Sequence, residues 1–311
     1  MLHSSLVPWI AFNAVVLVAL AIDLGLGDND RKLSVKEAGI RSAIWVSLAL
    51  LFAAGIFYFQ GHLQGVEFIT GYLVEYSLSV DNIFVIVLIF SYFHIPEEYQ
   101  HRVLFWGILG ALIMRGAMIA AGAALFSRFA WITYVFGAFL VITGIRMGAG
   151  GEKHVDPGKN PVLKLVRRII PVHNDYHGQK FFVRATDEHG VTRRMATPLF
   201  VVLVLIETMD LVFAVDSIPA VFAVTREPFL VYTSNVAAIL GLRSLYFLLA
   251  GAVTKLRYLS IGLAAILIFV GLKMLSSHWF EVPTVASLGV IVLILATAAA
   301  ASIYVDRKEA V

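Results

Sequence analysis

The 311-residue sequence contains no cysteine, and only 14% of its residues are charged. The first absence excludes disulfides, Fe–S clusters and thiolate zinc sites. The second excludes an ordinary soluble domain, in which about 25% of residues carry charge. No GxxxxGK[ST] phosphate loop occurs, so ATP-driven pumping by this chain alone is not expected. Between Val66 and Phe93 there is no lysine or arginine, yet Glu67, Glu75 and Asp81 stand there in an apolar stretch. What these acids do is the question the sequence poses.

What fills the chain instead is apolar: 59% of residues are hydrophobic and the mean hydropathy is +0.85. Nine apolar runs stand out, at about 8–27, 41–60, 66–93, 101–125, 129–147, 198–224, 229–250, 257–275 and 284–304. Runs of about 20 residues cross a hydrocarbon core as helices. The expected fold is therefore an all-α polytopic membrane protein of about nine transmembrane helices. The first run is expected to stay as a helix, because no Lys or Arg precedes it and "LGLGDND" offers no small-residue cleavage pattern.

Alternate connections differ in basic residues. One side carries Arg31, Lys32, Lys36, Arg41, Arg102, the basic 146–196 segment, Lys255, Arg257, Arg307 and Lys308, and the other little beyond Arg128 and Arg226. The positive-inside rule places the N-terminus outside and the C-terminus in the cytoplasm, and nine spans reconcile the two. Trp9, Trp45, Trp106, Trp131 and Trp279 fall near run ends, as interfacial anchors do. The chain divides into residues 1–147 with helices one to five, a cytoplasmic loop at 148–196, and residues 197–311 with helices six to nine and a short tail. Within the loop, "NPVLKLVRRIIPV" reads as a short interfacial amphipathic helix and "KFFVRATDEHGVTRRMATP" as a hairpin turning at "DEHG". His154, His173, His177 and His189 are scattered through it.

An internal repeat is also present. "VDNI" at 80–83 recurs as "VDSI" at 215–218, and at the same offset of 135 Glu75 falls on Asp210. "GIRM" at 144–147 is echoed by "GLKM" at 271–274, and Arg115 and Arg243 occupy comparable places in the fourth and seventh helices. Helices three to five thus match helices six to eight. Three spans is an odd number, so the second copy is inserted upside down, the inverted-repeat plan whose substrate sites lie near the membrane midplane.

Six carboxylates lie inside spans: Asp23, Glu75, Asp81, Glu207, Asp210 and Asp216. Each costs about 2.5–3.5 kcal/mol at a helix centre on insertion scales. Arg115 and Arg243 are the intramembrane cations, and a purely structural reading pairs one with each repeat's acids. At least two carboxylates then remain, held either as neutral acids or by a cation that comes and goes. In a straight helix Glu75, Ser79 and Asn82 share one face and Asp81 points about 120° away from Glu75. Pro219 clashes with the carbonyl of Val215, so a kink at "VDSIP" is expected to re-aim Asp216; the third helix has only Asp81-Asn82 at which to break. Carboxylates, an amide, hydroxyls and carbonyls are hard oxygen ligands suited to Mg²⁺, Ca²⁺ or Mn²⁺. Met209 beside Asp210 offers one soft ligand, and an oxyanion substrate is disfavoured by the negative walls.

"GYLVEYSLSVDNIFV", "HRVLFWGILGALIMR", "YHGQKFFVR" and "ATPLFVVLVLIETMDLVFAVDSIPAV" together resemble the TerC family of bacterial integral membrane proteins, in order and spacing from about residue 8 to 304. The resemblance implies a multi-pass protein of the bacterial inner membrane with a role in manganese homeostasis, by efflux or by supply of Mn²⁺ to exported metalloproteins. It implies a metal site of Glu75, Asp81 and Asn82 from one unit and Glu207, Asp210 and Asp216 from the other.

The expected activity is secondary transport, outward and proton-coupled, of a hard divalent cation, Mn²⁺ first, with no resident cofactor and no enzymatic role. Ser79, Arg115, Arg243 and Asp23 support the site. Two rival readings are a metal-delivery subunit docked on secretion machinery through the basic loop, and an intramembrane aspartyl hydrolase using Asp81 and Asp216. The expected partners are the metal ion, membrane lipids and exported metalloproteins or their secretion machinery, and no nucleic acid.

Overall fold

The computed structural model describes residues 6–25, 34–129, 131–149, 161–173, 175–186, 192–249, 258–277, 279–280 and 282–309. Its helices are α1 (Leu6–Gly25), α2 (Val35–Phe59), α3 (His62–Tyr92), α4 (Glu97–Arg128), α5 (Ile132–Gly148), α6 (Pro161–Ile169), α7 (Pro198–Phe222), α8 (Pro228–Leu240), α9 (Leu242–Leu249), α10 (Leu259–Ser276) and α11 (Thr284–Glu309). α2, α3, α4, α7 and the Thr284–Ser302 part of α11 are long and apolar enough to cross a membrane, and Leu6–Ile22, Ile132–Gly148 and Ser260–Ser276 are shorter apolar helices. With the α8–α9 pair these match the nine runs.

Local chemistry explains the ends. α2 begins six residues before its apolar run because Ser34 and Glu37 form a capping box: the Glu37 amide donates to Ser34 Oγ at 3.2 Å, and the Ser34 amide donates to Glu37 Oε2 at 2.9 Å. That reciprocity satisfies two otherwise orphaned donors. Pro198 and Pro228 open α7 and α8 at positions where a missing N–H costs nothing.

One expectation about a helix break, at Asp81-Asn82, is corrected. α3 runs unbroken through Asp81-Asn82 for 31 residues, and α7 runs through "VDSIP" to Phe222, so Pro219 falls in its last turn. Pro219 has no N–H to donate to the Val215 carbonyl, one turn earlier in the same helix. The break occurs instead in the seventh run, at Gly241 between α8 and α9. Glycine is about 1 kcal/mol worse than alanine inside a helix, and its C-cap amide turns back to the Ile239 carbonyl.

The two three-helix units are joined by a two-fold-like packing. α3 packs on α8 as α7 packs on α4, and α5 crosses α10 in the closest helix pair of the bundle. At that crossing the contacts repeat at an offset of 127 residues. A methyl on Gly144 would lie 2.8 Å from the Ala264 carbonyl oxygen and 3.0 Å from the Ile268 amide nitrogen. One on Gly271 would lie 2.7 Å from the Gly137 carbonyl oxygen and 2.9 Å from the Val141 amide nitrogen. Each helix thus presents its glycine to the same backbone groups of the other, as two units related by a two-fold axis must.

α6 and the antiparallel pair β1 (Phe182–Thr186) and β2 (Thr192–Ala196) cap one end of the bundle. Leu163 of α6 is buried with α3, α4, α7 and α9 residues, Arg102 lies over the Phe181 ring, and Tyr176 donates its hydroxyl to the Phe93 carbonyl at 2.6 Å. Burial raises the Tyr176 pKa above its ordinary value, which keeps the phenol a donor. The "DEHG" turn, His154 and His189 lie outside the described residues. His173 and His177 face each other with ring centroids 4.5 Å apart. The end bearing this segment is called the basic end below.

Candidate metal centre

Four helices bring the buried charges together. α3 presents Glu75, α4 presents Arg115, α7 presents Asp210 and Ser217, and α8 presents Asn235. Glu75 and Asn235 are 0% exposed, Arg115 is 1% exposed and Asp210 is 17% exposed, so only the last has any open side. Arg115 donates from Nε to Asp210 Oδ2 at 3.0 Å and from Nη2 to Asp210 Oδ1 at 2.7 Å, a two-pronged fork. Its Nη1 donates to Glu75 Oε1, and reaches Asn235 Oδ1 at 3.2 Å and Ser217 Oγ at 3.4 Å. Asn235 Nδ2 donates to the second oxygen of Glu75 at 2.7 Å.

The pairing differs from the within-repeat scheme. Arg115 belongs to the first unit but holds one acid from each, Glu75 and Asp210, so it bridges the repeats. The reason is geometric: α4 packs on both α7 and α8, and a guanidinium can satisfy two carboxylates at once. With both carboxylates ionised, one guanidinium leaves one negative charge in excess.

Towards the basic end, the α3 face one and two turns beyond Glu75 is also buried. Ser79 is 0% exposed and Asn82 6% exposed, as the unbroken helix requires. Ser79 Oγ, Asn82 Oδ1 and Glu207 Oε2 are buried with no hydrogen-bond partner among the described residues. Asn82 and Asp210 line a cavity of about 30 Å³ with Gly107, Ala111, Ile206 and Met209, room for one water or one bare ion. Glu207 enters between helices because Gly110 has no side chain: a Cβ there would fall on its carboxylate.

Of the six expected ligands, the structure brings Glu75 and Asp210 together on Arg115, with Asn82 lining a cavity beside Asp210. No group of three metal-ligating His, Asp or Glu residues occurs among the described residues, and Arg115 lies between Glu75 and Asp210. Asp216 accepts from Thr143 Oγ1 at 3.4 Å. Arg243 is buried on α9. The side chains of Asp81 and Asp23 lie outside what the structure describes. Asn235, Ser217 and Gly110 escaped the sequence reading. Asn235 repeats no motif and only its polarity within an apolar run marks it, whereas Ser217 stands in the "VDSI" repeat opposite Asn82 but was passed over for its aspartate.

The fold defines a polytopic helical membrane protein with a charged centre shared between its two halves. The chain belongs to the TerC family of integral membrane proteins, whose model matches residues 60–310. It is 51% identical over 302 residues to "Uncharacterized membrane protein STKORF319" of Myxococcus xanthus, covering 96% of this chain and 92% of that one. It is 44% identical over 297 residues to "Putative membrane-bound redox modulator Alx" of Escherichia coli K12, covering 92% and 91%. A Rickettsia bellii membrane protein is 39% identical over 305 residues, covering 96% and 99%. No solved structure gives a significant match.

Proposed function

We propose that this chain is a secondary transporter that exports a hard divalent cation, Mn²⁺ first, from the cytoplasm across the bacterial inner membrane in exchange for protons. The observation that carries this reading is the bridge itself. A buried cation, the Arg115 guanidinium, sits where the acids of two repeats converge, with one negative charge in excess and unpartnered oxygens just beside it. Glu75, Asp210, Asn82, Ser79 and Glu207 offer the oxygen donors that Mn²⁺ accepts. Asp81 and Asp216 join them when the helices rearrange.

Arg115 then acts as a tethered counter-ion. With no metal present it offsets one of the two negative charges and hydrogen-bonds both Glu75 and Asp210, which could not otherwise both be charged in a dry site. A divalent ion arriving at Asn82 and Asp210 from the basic end competes for the same carboxylates and displaces it. Protons serve the return step by occupying the acids, with Glu207 as carrier. The relatives named Alx are described as redox modulators; this chain has no cysteine, so a thiol–disulfide route is closed to it. The hydrolase reading uses two aspartates and leaves Glu75, Arg115 and Asn235 without a role.

The test is Mn²⁺ flux into proteoliposomes with Glu75→Gln, Asp210→Asn and Asp216→Asn alongside. Flux accompanied by opposite proton movement, lost in each variant, is the expected result. A folded preparation that carries no cation, or variants that transport normally, would overturn the reading. Unchanged function in Glu75→Gln alone would favour the hydrolase.

A further inference from the structure

At the end opposite the basic segment, two cavities meet on α10. The first, of about 370 Å³, lies between the starts of α3 and α5 and the ends of α7 and α10, with Glu67, Thr225, Arg226 and Lys273 in its wall beside Phe222 and Met274. The second, of about 360 Å³, runs along α10 past Phe269, Leu272, Leu275, Trp279 and Val282. Lys273 and Val282 line both. One chamber is therefore charged, the other is apolar, and a lysine stands at their junction.

The charged chamber is built. Thr225 Oγ1 donates to Glu67 Oε2 at 2.7 Å, Arg226 Nη2 donates to Thr133 Oγ1 at 3.0 Å, and the guanidinium is held over the Phe126 ring. These contacts fix the acid and the arginine but leave both with bonding capacity to spare. The Lys273 ammonium makes no hydrogen bond and no ion pair within 4 Å among the described residues, and Glu67 is the acid that acts on it. Two cations and one carboxylate face the chamber from its described wall, while Phe280 beside it and Leu272 and Trp279 along the second cavity are exposed. An exposed tryptophan at a helix end marks the level of lipid headgroups.

The geometry points to a bound phospholipid, specifically one with a phosphoethanolamine headgroup. The phosphodiester would accept from Arg226 and Lys273, the fork and point charge that recognise phosphate oxygens. The ammonium would lie against Glu67, and an acyl chain would follow the apolar cavity along α10. A headgroup without the ammonium, such as phosphoglycerol, leaves Lys273 to serve both Glu67 and the phosphate. Sites of this kind, basic pockets between transmembrane helices, are how membrane proteins single out a lipid. The inference does not depend on metal transport, since the site shares no residue with the Arg115 bridge.

The test uses the full-length protein in detergent, stripped of lipid and titrated with phosphatidylethanolamine, phosphatidylglycerol or soluble glycerophosphoethanolamine. Retained lipid is read by native mass spectrometry and unfolding by thermal melt. Phosphatidylethanolamine is expected to stay bound and to raise the melting temperature by a few degrees. Arg226→Gln and Lys273→Met should each lower retention several-fold, Lys273→Arg should keep it, and Glu67→Gln should bring phosphatidylglycerol level with phosphatidylethanolamine. A photoactivatable phosphatidylethanolamine on the unaltered chain should label residues between Phe269 and Val282. Equal retention in wild type and cation variants, labelling spread evenly over all helices, or the full effect from the soluble headgroup alone would each overturn the assignment.

Discussion

Arg115 holds two carboxylates from different halves of the molecule, and its removal leaves both buried without a cation. Breaking a buried pair by deleting one partner costs about 3–5 kcal/mol, far more than the pair contributes against an apolar replacement. Arg115→Met is therefore expected to lower the melting temperature sharply, and the double variant Arg115→Met/Glu75→Gln to recover part of the loss. Losses that simply add in thermal melts would show that the two side chains do not act as one unit. A second residue-scale test avoids charge altogether. Gly110→Ala places a methyl where the Glu207 carboxylate lies, so Mn²⁺ flux should fall several-fold, whereas Gly289→Ala, which meets nothing within 4 Å, should leave it unchanged. The acids were legible in the sequence because charge inside an apolar run is costly and conspicuous. Asn235 was not, because a neutral polar side chain in a helix is inexpensive and common, and Ser217 was marked only by its place in the "VDSI" repeat.

Helices were the easiest elements to read and their irregularities the hardest. Every apolar run became a helix, but the break fell at Gly241, where nothing in the local sequence sets that glycine apart from Gly71 or Gly107, which stay helical. Tertiary packing decides which glycine yields, and packing is not written in a single run. The hairpin strands were readable from "KFFVRAT" and "VTRRMA", whose register pairs Phe182 with Ala196 and Thr186 with Thr192. The α5–α10 crossing could be read only in part: the "GIRM" and "GLKM" echo marks both helices but does not say that they touch. Since the contacts at Gly144 and Gly271 are equivalent, Gly144→Ala and Gly271→Ala should destabilise by similar amounts, about 1–3 kcal/mol each for overpacking. Thermal melts showing one variant neutral and the other severe would mean that the two halves do not share the crossing equally.

The molecule as a whole is two units that meet through a rigid crossing on one side and a charged bridge on the other. α5 and α10 approach until backbone touches backbone, which leaves little freedom there. α3, α4, α7 and α8 meet through Arg115, a contact that a competing cation can undo. Motion of one unit against the other is thus expected to turn about the crossing and open at the bridge, which is how inverted repeats alternate access to a midplane site. The bundle is ready for the experiment because it has no native cysteine to remove. Ala111 lines the small cavity on the basic side of the bridge, and Thr70 is buried on α3 on the opposite side. Single variants Ala111→Cys and Thr70→Cys should exchange reactivity towards a small maleimide when Mn²⁺ is added at constant pH: the first becomes protected and the second exposed. Both rising together would indicate loosening of the bundle instead of alternation, and no change in either would mean that the metal moves nothing at the bridge.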